Sequence, residues 1–159
     1  MTPRKRVLAL ALLVGVVAIS SALAAGGGKA PTGTTIKLLE DESQGIHVPI
    51  GHHHIGLAAG DEGFNNRTLR TLQKKPIGQL TFSCVTTKGG PNWIQICTGV
   101  YTLPGGTLVG TTLDVPSQGP NALHIAITGG TGRYEGARGS ILSVGSSTGL
   151  ATDTIHLLP

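Results

Sequence analysis

"ITGGTGRYEGARGSI", Ile127–Ile141, places five glycines in fifteen residues directly behind the apolar run "ALHIA". Two architectures begin this way. A dinucleotide-binding fold needs a strand, a glycine turn, and then a helix whose first amides hold a pyrophosphate. Gly130, Gly132 and Gly136 have a spacing some dehydrogenases use, and Asp153 lies at a suitable distance beyond. The surroundings do not fit that fold. The would-be helix carries Gly136 and Gly139, the next residues "SILSVG" read as a strand, and only 27 residues remain after Gly132. The stretch therefore reads as a turn that shapes a sheet, with glycines where the chain needs positive φ or close backbone approach.

The rest of the chain agrees with a sheet. "TTIKLLED", "IGQLTFSCVTT", "NWIQICTGVYTL", "TLVGTTLDV", "NALHIAIT", "GSILSVG" and "TDTIHLL" are short, β-rich and bounded by Gly, Pro, Asn or Ser. Period-two alternation groups Ile36, Leu38 and Glu40 on one face. It likewise groups Leu80, Phe82 and Cys84, and then Trp93, Gln95, Cys97, Gly99 and Tyr101. No amphipathic helix of ten residues stands out. Many strands without helices mean a sandwich or a barrel. "KGGPN" reads as a hairpin turn between Gly90 and Pro91, which sets Cys84 opposite Cys97, and "LPGGT" reads as a second hairpin. No repeat and no second domain is visible.

The N-terminus reads as a secretory signal over residues 1–24: basic "PRKR", an apolar run of 13 residues, then "ALA". Residues 25–34 read as a flexible mature N-terminus and 35–159 as one β domain. Of the chain's 12 basic and 8 acidic residues, Arg4, Lys5 and Arg6 go with the signal, leaving a net charge of +1. Such a balance has no electrostatic footprint for nucleic acid, and no membrane span is expected after signal removal. The expected location is secreted, extracellular or periplasmic, where a Cys84–Cys97 disulfide is the default.

The glycine stretch also carries a family resemblance. "AITGGTGRYEGARGSI", preceded by "CTGVYTLPGGTLVGT", resembles the allene oxide cyclase and dirigent-like superfamily, above all its small exported bacterial members. "GDEGFNNRTL", "IGQLTFSCV" and the final "TDTIHLL" fit the same order, and the likeness spans most of residues 35–158. The resemblance implies an all-β, closed antiparallel barrel of eight strands, with assembly into homo-oligomers in some members. It implies an isomerase-like or cyclase-like activity without a cofactor: a small apolar molecule is held inside, and shape and excluded water direct its cyclisation or isomerisation. The cyclases act on a fatty-acid epoxide, and dirigent proteins act on phenolic intermediates. The alternative is a non-catalytic exported barrel that binds a ligand or interacts within the envelope.

The candidate catalytic residues are Glu40 and His124. Glu40 shares its face with Ile36 and Leu38, and an acid in an apolar cavity has a raised pKa. The cyclases carry a glutamate and an asparagine on their first strand, a spacing "KLLEDESQG" does not reproduce. The other reading of Glu40 is an exposed strand end beside Asp41 and Glu42. His124 reads as a cavity base or a satisfied core histidine. The candidate ligand-binding residues are Arg133, Tyr134, Arg138 and Tyr101. Arg138 matches the arginine of the family's ARG motif, whereas Arg133 stands near where some dirigent proteins use an acid. "GHHHIGL" raises His52 and His54, with His47 or Asp61 as a third group, as a metal set. Nothing fixes that geometry, so no metal and no cofactor are expected.

Overall fold

In a computed structural model, residues 33–41, 56–116 and 122–159 are described. They form eight strands: β1 Thr35–Asp41, β2 Glu62–Arg70, β3 Pro76–Lys88, β4 Ile94–Leu103, β5 Gly106–Asp114, β6 Ala122–Gly130, β7 Gly139–Val144 and β8 Leu150–Leu157. Each strand pairs antiparallel with the next, and β8 pairs with β1, closing the sheet into a barrel. The expected eight-stranded barrel is what the chain forms. The signal, the start of the mature chain, and His47, His52 and His54 lie outside the described residues. Among the described residues no helix is long and apolar enough to cross a membrane, and no group of three metal-ligating side chains comes together. Asp61, the other residue weighed for a metal, instead caps a turn by accepting the Ala58 N–H at 2.8 Å.

The hairpin at "KGGPN" sets the register that the sequence predicts. Cys84 and Cys97 are direct cross-strand partners, their Cα atoms 4.0 Å apart, and they form a disulfide.

Alternation fills one half of the barrel and leaves the other half open. Towards the end where β1 starts and β8 stops, the inward positions are Leu38, Leu69, Leu80, Leu103, Leu108, Ile127, Ile141, Ile155 and Leu157, which form one buried cluster. Leu69, Leu108 and Ile155 are completely inaccessible, so this end is a packed core. Towards the other end the same strands turn small side chains inward. Gly63, Gly99, Gly110 and Gly145 stand there, with Thr112, Ser143 and Ser146. Their missing volume leaves a cavity of about 590 Å³.

The glycine stretch plugs the filled end. It leaves β6, makes a 3-10 turn over Gly132–Tyr134 and enters β7 at Gly139. Tyr134 and Ala137 drop into the core. Gly132 adopts φ +60°, and a Cβ there would stand 2.2 Å from the Gly105 carbonyl, so only glycine fits. The Arg133 N–H donates to that carbonyl at 2.9 Å, and the Thr131 N–H donates to the Thr107 carbonyl at 2.9 Å, which ties the plug to the β4–β5 hairpin. The amides of Tyr134, Glu135 and Ala137 are also given to backbone carbonyls. These amides all have backbone acceptors, so the stretch is no phosphate cradle.

Candidate functional site

The cavity floor is built where the leucine layers stop. On β1, alternation that turns Leu38 inward turns Glu40 inward one step higher, and Glu40 is 3% exposed. Glu40 lies opposite Leu69 on β2, and two residues before Leu69 comes Arg67, whose guanidinium hydrogen-bonds the Glu40 carboxylate as an ion pair. The same guanidinium lies 4.8 Å from the centre of the Phe82 ring on β3. This cation–π contact fixes its plane. On β4, Tyr101 stands between Leu80 and Leu108 in the register and is 1% exposed. Tyr101 lines the cavity, and its buried hydroxyl stands beside Asp153 without a hydrogen bond of ordinary geometry. Directly behind this floor is Asp153 on β8, completely buried, with Leu38 and Ser143 as cross-strand neighbours.

This cluster carries unusual electrostatics. Burial holds the Tyr101 phenol well above its ordinary pKa, and the negative charges of Asp153 and Glu40 add to the effect. Tyr101 is therefore a neutral hydroxyl and a hydrogen-bond donor at every physiological pH. Burial also raises Asp153, against opposing help from the Ser143 and Tyr101 hydroxyls and the charge of Arg67. Those groups stand near enough to influence the carboxyl, yet neither of its oxygens has a hydrogen bond of ordinary geometry. A completely buried carboxyl in that position favours its protonated form.

Above the floor the walls carry Asn65, Phe82, Gln95, Thr112, Leu123, Ile125, Ser143 and the Cys84–Cys97 bridge. The Asn65 side-chain carbonyl is buried and unpartnered. Gln95 is held by its amide, which donates to the Thr86 hydroxyl at 3.0 Å. Asp114 ends β5 at the mouth, opposite Gln95. It is half-buried, and desolvation raises its pKa while the Val115 N–H opposes that rise. The interior thus mixes apolar side chains with polar groups in the wall, floor and rim.

The structure sorts the sequence-derived candidates. Glu40 and Tyr101 meet in the cavity floor, so the inward reading of Glu40 holds against the exposed-end reading. His124 does not reach the cavity: it is exposed on the outer face of β6, because the inward phase of that strand belongs to Leu123, Ile125 and Ile127. Arg133, Tyr134 and Arg138 sit at the plugged end, across the leucine core from the cavity. Tyr134 is core, and Arg133 lies over its ring at 5.6 Å. Arg138 is exposed, and its backbone carbonyl accepts the Leu158 N–H at 2.8 Å. These three belong to the plug and do not line the cavity. Arg67, Asp114 and Asp153 stand in no motif that marks them as residues of this site. Each is in phase with inward neighbours, Asp153 with Ala151, Ile155 and Leu157, so a polar residue at an inward position is the signal the sequence offers.

A closed eight-stranded antiparallel barrel is also the fold of the dirigent-like barrels. No protein-family model matches this chain, and no curated protein matches it in sequence. Solved structures do share its fold. A pyocyanin demethylase superposes with a TM-score of 0.67 at 22% identity, covering 78% of this chain and 99% of that one. The pterocarpan synthase dirigent protein PsPTS1 gives 0.61 at 17% identity, over 81% of this chain and 95% of that one. The Diels–Alderase AbmU from Streptomyces koyangensis gives 0.62 at 13% identity, over 82% and 71% respectively. The dirigent side of the resemblance is thereby met at the level of fold.

Proposed function

We propose that the chain is an exported barrel that encloses a small, largely apolar molecule in its open half and directs a cofactor-free cyclisation or isomerisation. One observation carries this reading. A 590 Å³ cavity ends on Tyr101, a buried, neutral tyrosine beside Asp153 whose hydroxyl makes no hydrogen bond of ordinary geometry within the protein. An unpartnered buried donor is costly to a fold that does not use it. Tyr101 lines a space large enough for a ligand, and the Asn65 carbonyl, without a hydrogen bond of ordinary geometry, stands in the wall.

The chemistry rests on the groups present. The wall holds a flexible molecule folded and excludes water, which brings its reacting atoms together. Tyr101 donates a hydrogen bond to a substrate oxygen, such as an epoxide or carbonyl, and strengthens it as negative charge develops there. Asp153 stands behind the tyrosine, and burial raises the pKa of both groups. Glu40 holds Arg67 against Phe82 and so fixes the shape of the floor. The reaction is redox-neutral: bonds are exchanged within one molecule, and any proton lent is returned. Neighbours described as a dirigent protein and a Diels–Alderase support ring-forming chemistry in this fold. The signal-like N-terminus and the Cys84–Cys97 disulfide support export.

The test is conversion of two panels by the purified protein: polyenes bearing an epoxide, and phenols with an unsaturated side chain. Products are read by chiral chromatography with mass spectrometry. The expected result is a product with stereochemical excess that Tyr101→Phe reduces at least tenfold. Binding without conversion would leave a ligand-binding barrel. Neither binding nor conversion across both panels would refute the reading.

A further inference from the structure

Given the ligand-cavity reading above, on which this step rests, we infer that the cavity selects by charge: it takes uncharged or cationic molecules and turns away carboxylates, with Asp114 at the mouth as the filtering residue.

The charges lining the space carry the inference. Among the described residues the cavity is lined by three ionisable groups other than Tyr101: Glu40, Arg67 and Asp114. Arg67 is the single cation, and its guanidinium is already bound by Glu40 and stacked on Phe82. That pair is neutral overall, which leaves the negative charge of Asp114 uncompensated inside the wall. Lys88, the cation at the end of β3, lines a separate groove with Trp93 and Pro116. Asp153 beneath the floor adds acid and never a cation.

A carboxylate entering this space would lose its hydration and meet Asp114 at the rim, with no cation in the lining but the one Glu40 already holds. The repulsion acts in a partly dry cavity, where charges interact far more strongly than in water. A hydroxyl or carbonyl oxygen loses much less and still accepts from Tyr101. An ammonium or a cationic ring is favoured at the rim, since Asp114 faces Gln95 across the β4–β5 ladder and Gln95 is already engaged by Thr86. Of the two substrate types implied by the resemblance, the fatty-acid type is therefore disfavoured wherever its carboxylate has to enter the cavity, and the uncharged phenolic type is favoured.

The experiment is isothermal titration of the full chain with three probes of one body and different charge: 1-naphthylmethanol, 1-naphthylmethylamine and 1-naphthoate. The expected result is that the alcohol and the amine bind at least tenfold more tightly than the carboxylate, and that Asp114→Asn narrows this ratio at least threefold. Gln95→Glu, which adds a second negative charge opposite Asp114, is expected to widen it. Naphthoate binding as tightly as the alcohol overturns the inference and leaves the ligand-cavity reading standing. So does a ratio unchanged in both variants. If none of the three probes binds, both the ligand-cavity reading and the charge filter fall.

Discussion

Replacing Asp153 with asparagine is expected to make the protein more stable at neutral pH, and to abolish a defined part of its pH dependence. The side chain is completely buried, and its two oxygens lack hydrogen bonds of ordinary geometry. Burial raises its pKa above the ordinary 3.8. The folded protein therefore holds this proton more tightly than the unfolded chain does. The sign comes from linkage. Stability from this group is fully present below the unfolded pKa, falls as pH rises through the folded pKa, and is then constant. Each pH unit of elevation costs about 1.4 kcal/mol at neutral pH. Asparagine is the neutral isostere, and its amide can meet the hydroxyls of Tyr101 and Ser143. At pH 7 the variant should gain about 1–3 kcal/mol, the usual penalty of a buried unsatisfied polar group. The assay is urea denaturation of both proteins at several pH values between about 3.5 and 8, a window that spans the ordinary carboxylate pKa and neutrality. Only the difference between them is used, because the Glu40–Arg67 and Asp41–Arg70 ion pairs are common to both. The difference should be small at the acid end and grow as pH rises. A difference that is flat across this range, or a variant less stable than the parent at pH 7, would falsify the account of Asp153.

Four further outcomes are expected. Tyr101→Phe should leave stability unchanged or raise it by up to about 1 kcal/mol, since it removes a buried hydroxyl without a partner. Ligand affinity or turnover should fall in the same variant, and a stability loss above that scale in urea would show the hydroxyl is paired after all. Gly132→Ala should cost about 2 kcal/mol or more in chemical denaturation, because alanine disfavours φ +60° and its Cβ would strike the Gly105 carbonyl. A neutral outcome would mean the plug is not the rigid cap described. Reduction of Cys84–Cys97, or its replacement by a serine pair, should lower stability by about 2–3 kcal/mol, the scale for closing a loop of this length, read as a shift in melting temperature with and without dithiothreitol. His124→Ala should change neither ligand affinity nor turnover, as the ring lies on the outer face of β6; a tenfold loss would contradict that placement.

Much of this architecture is legible in the residues. The strands announce themselves by period-two patterning, and the barrel is implied by the resemblance carried by the GGTG and ARG segments. The Cys84–Cys97 pair can be placed by counting outward from "KGGPN", since an antiparallel hairpin has a single register once its turn is known. Glu40 is also legible, because a charged residue in phase with Ile36 and Leu38 must either line a cavity or end the strand. The strand "SILSVG" behind the glycine stretch is enough to clear it of nucleotide binding. Its actual task, plugging one end with Tyr134 and Ala137, is not visible in the residues.

What the chain order could not show is which end of the barrel each inward residue occupies. Arg133, Tyr134 and Arg138 look as promising as Tyr101 because the residues do not show a height along the axis, whereas His124 falls on the outer face once the inward phase of β6 goes to Leu123, Ile125 and Ile127. Height is set by strand pairing around the closed sheet. That pairing stacks Leu38, Leu69, Leu108 and Ile155 into a filled layer and puts Glu40, Arg67 and Tyr101 one layer above it. These three are 27 to 61 positions apart along the chain and meet only because β1, β2 and β4 curve round one axis. The sequence by itself determined an all-β chain, a sandwich or a barrel, with Cys84 set opposite Cys97, and the family resemblance selected the barrel. Only the tertiary structure decided that half the barrel is hollow, and that a tyrosine, an ion pair and a buried acid form its floor.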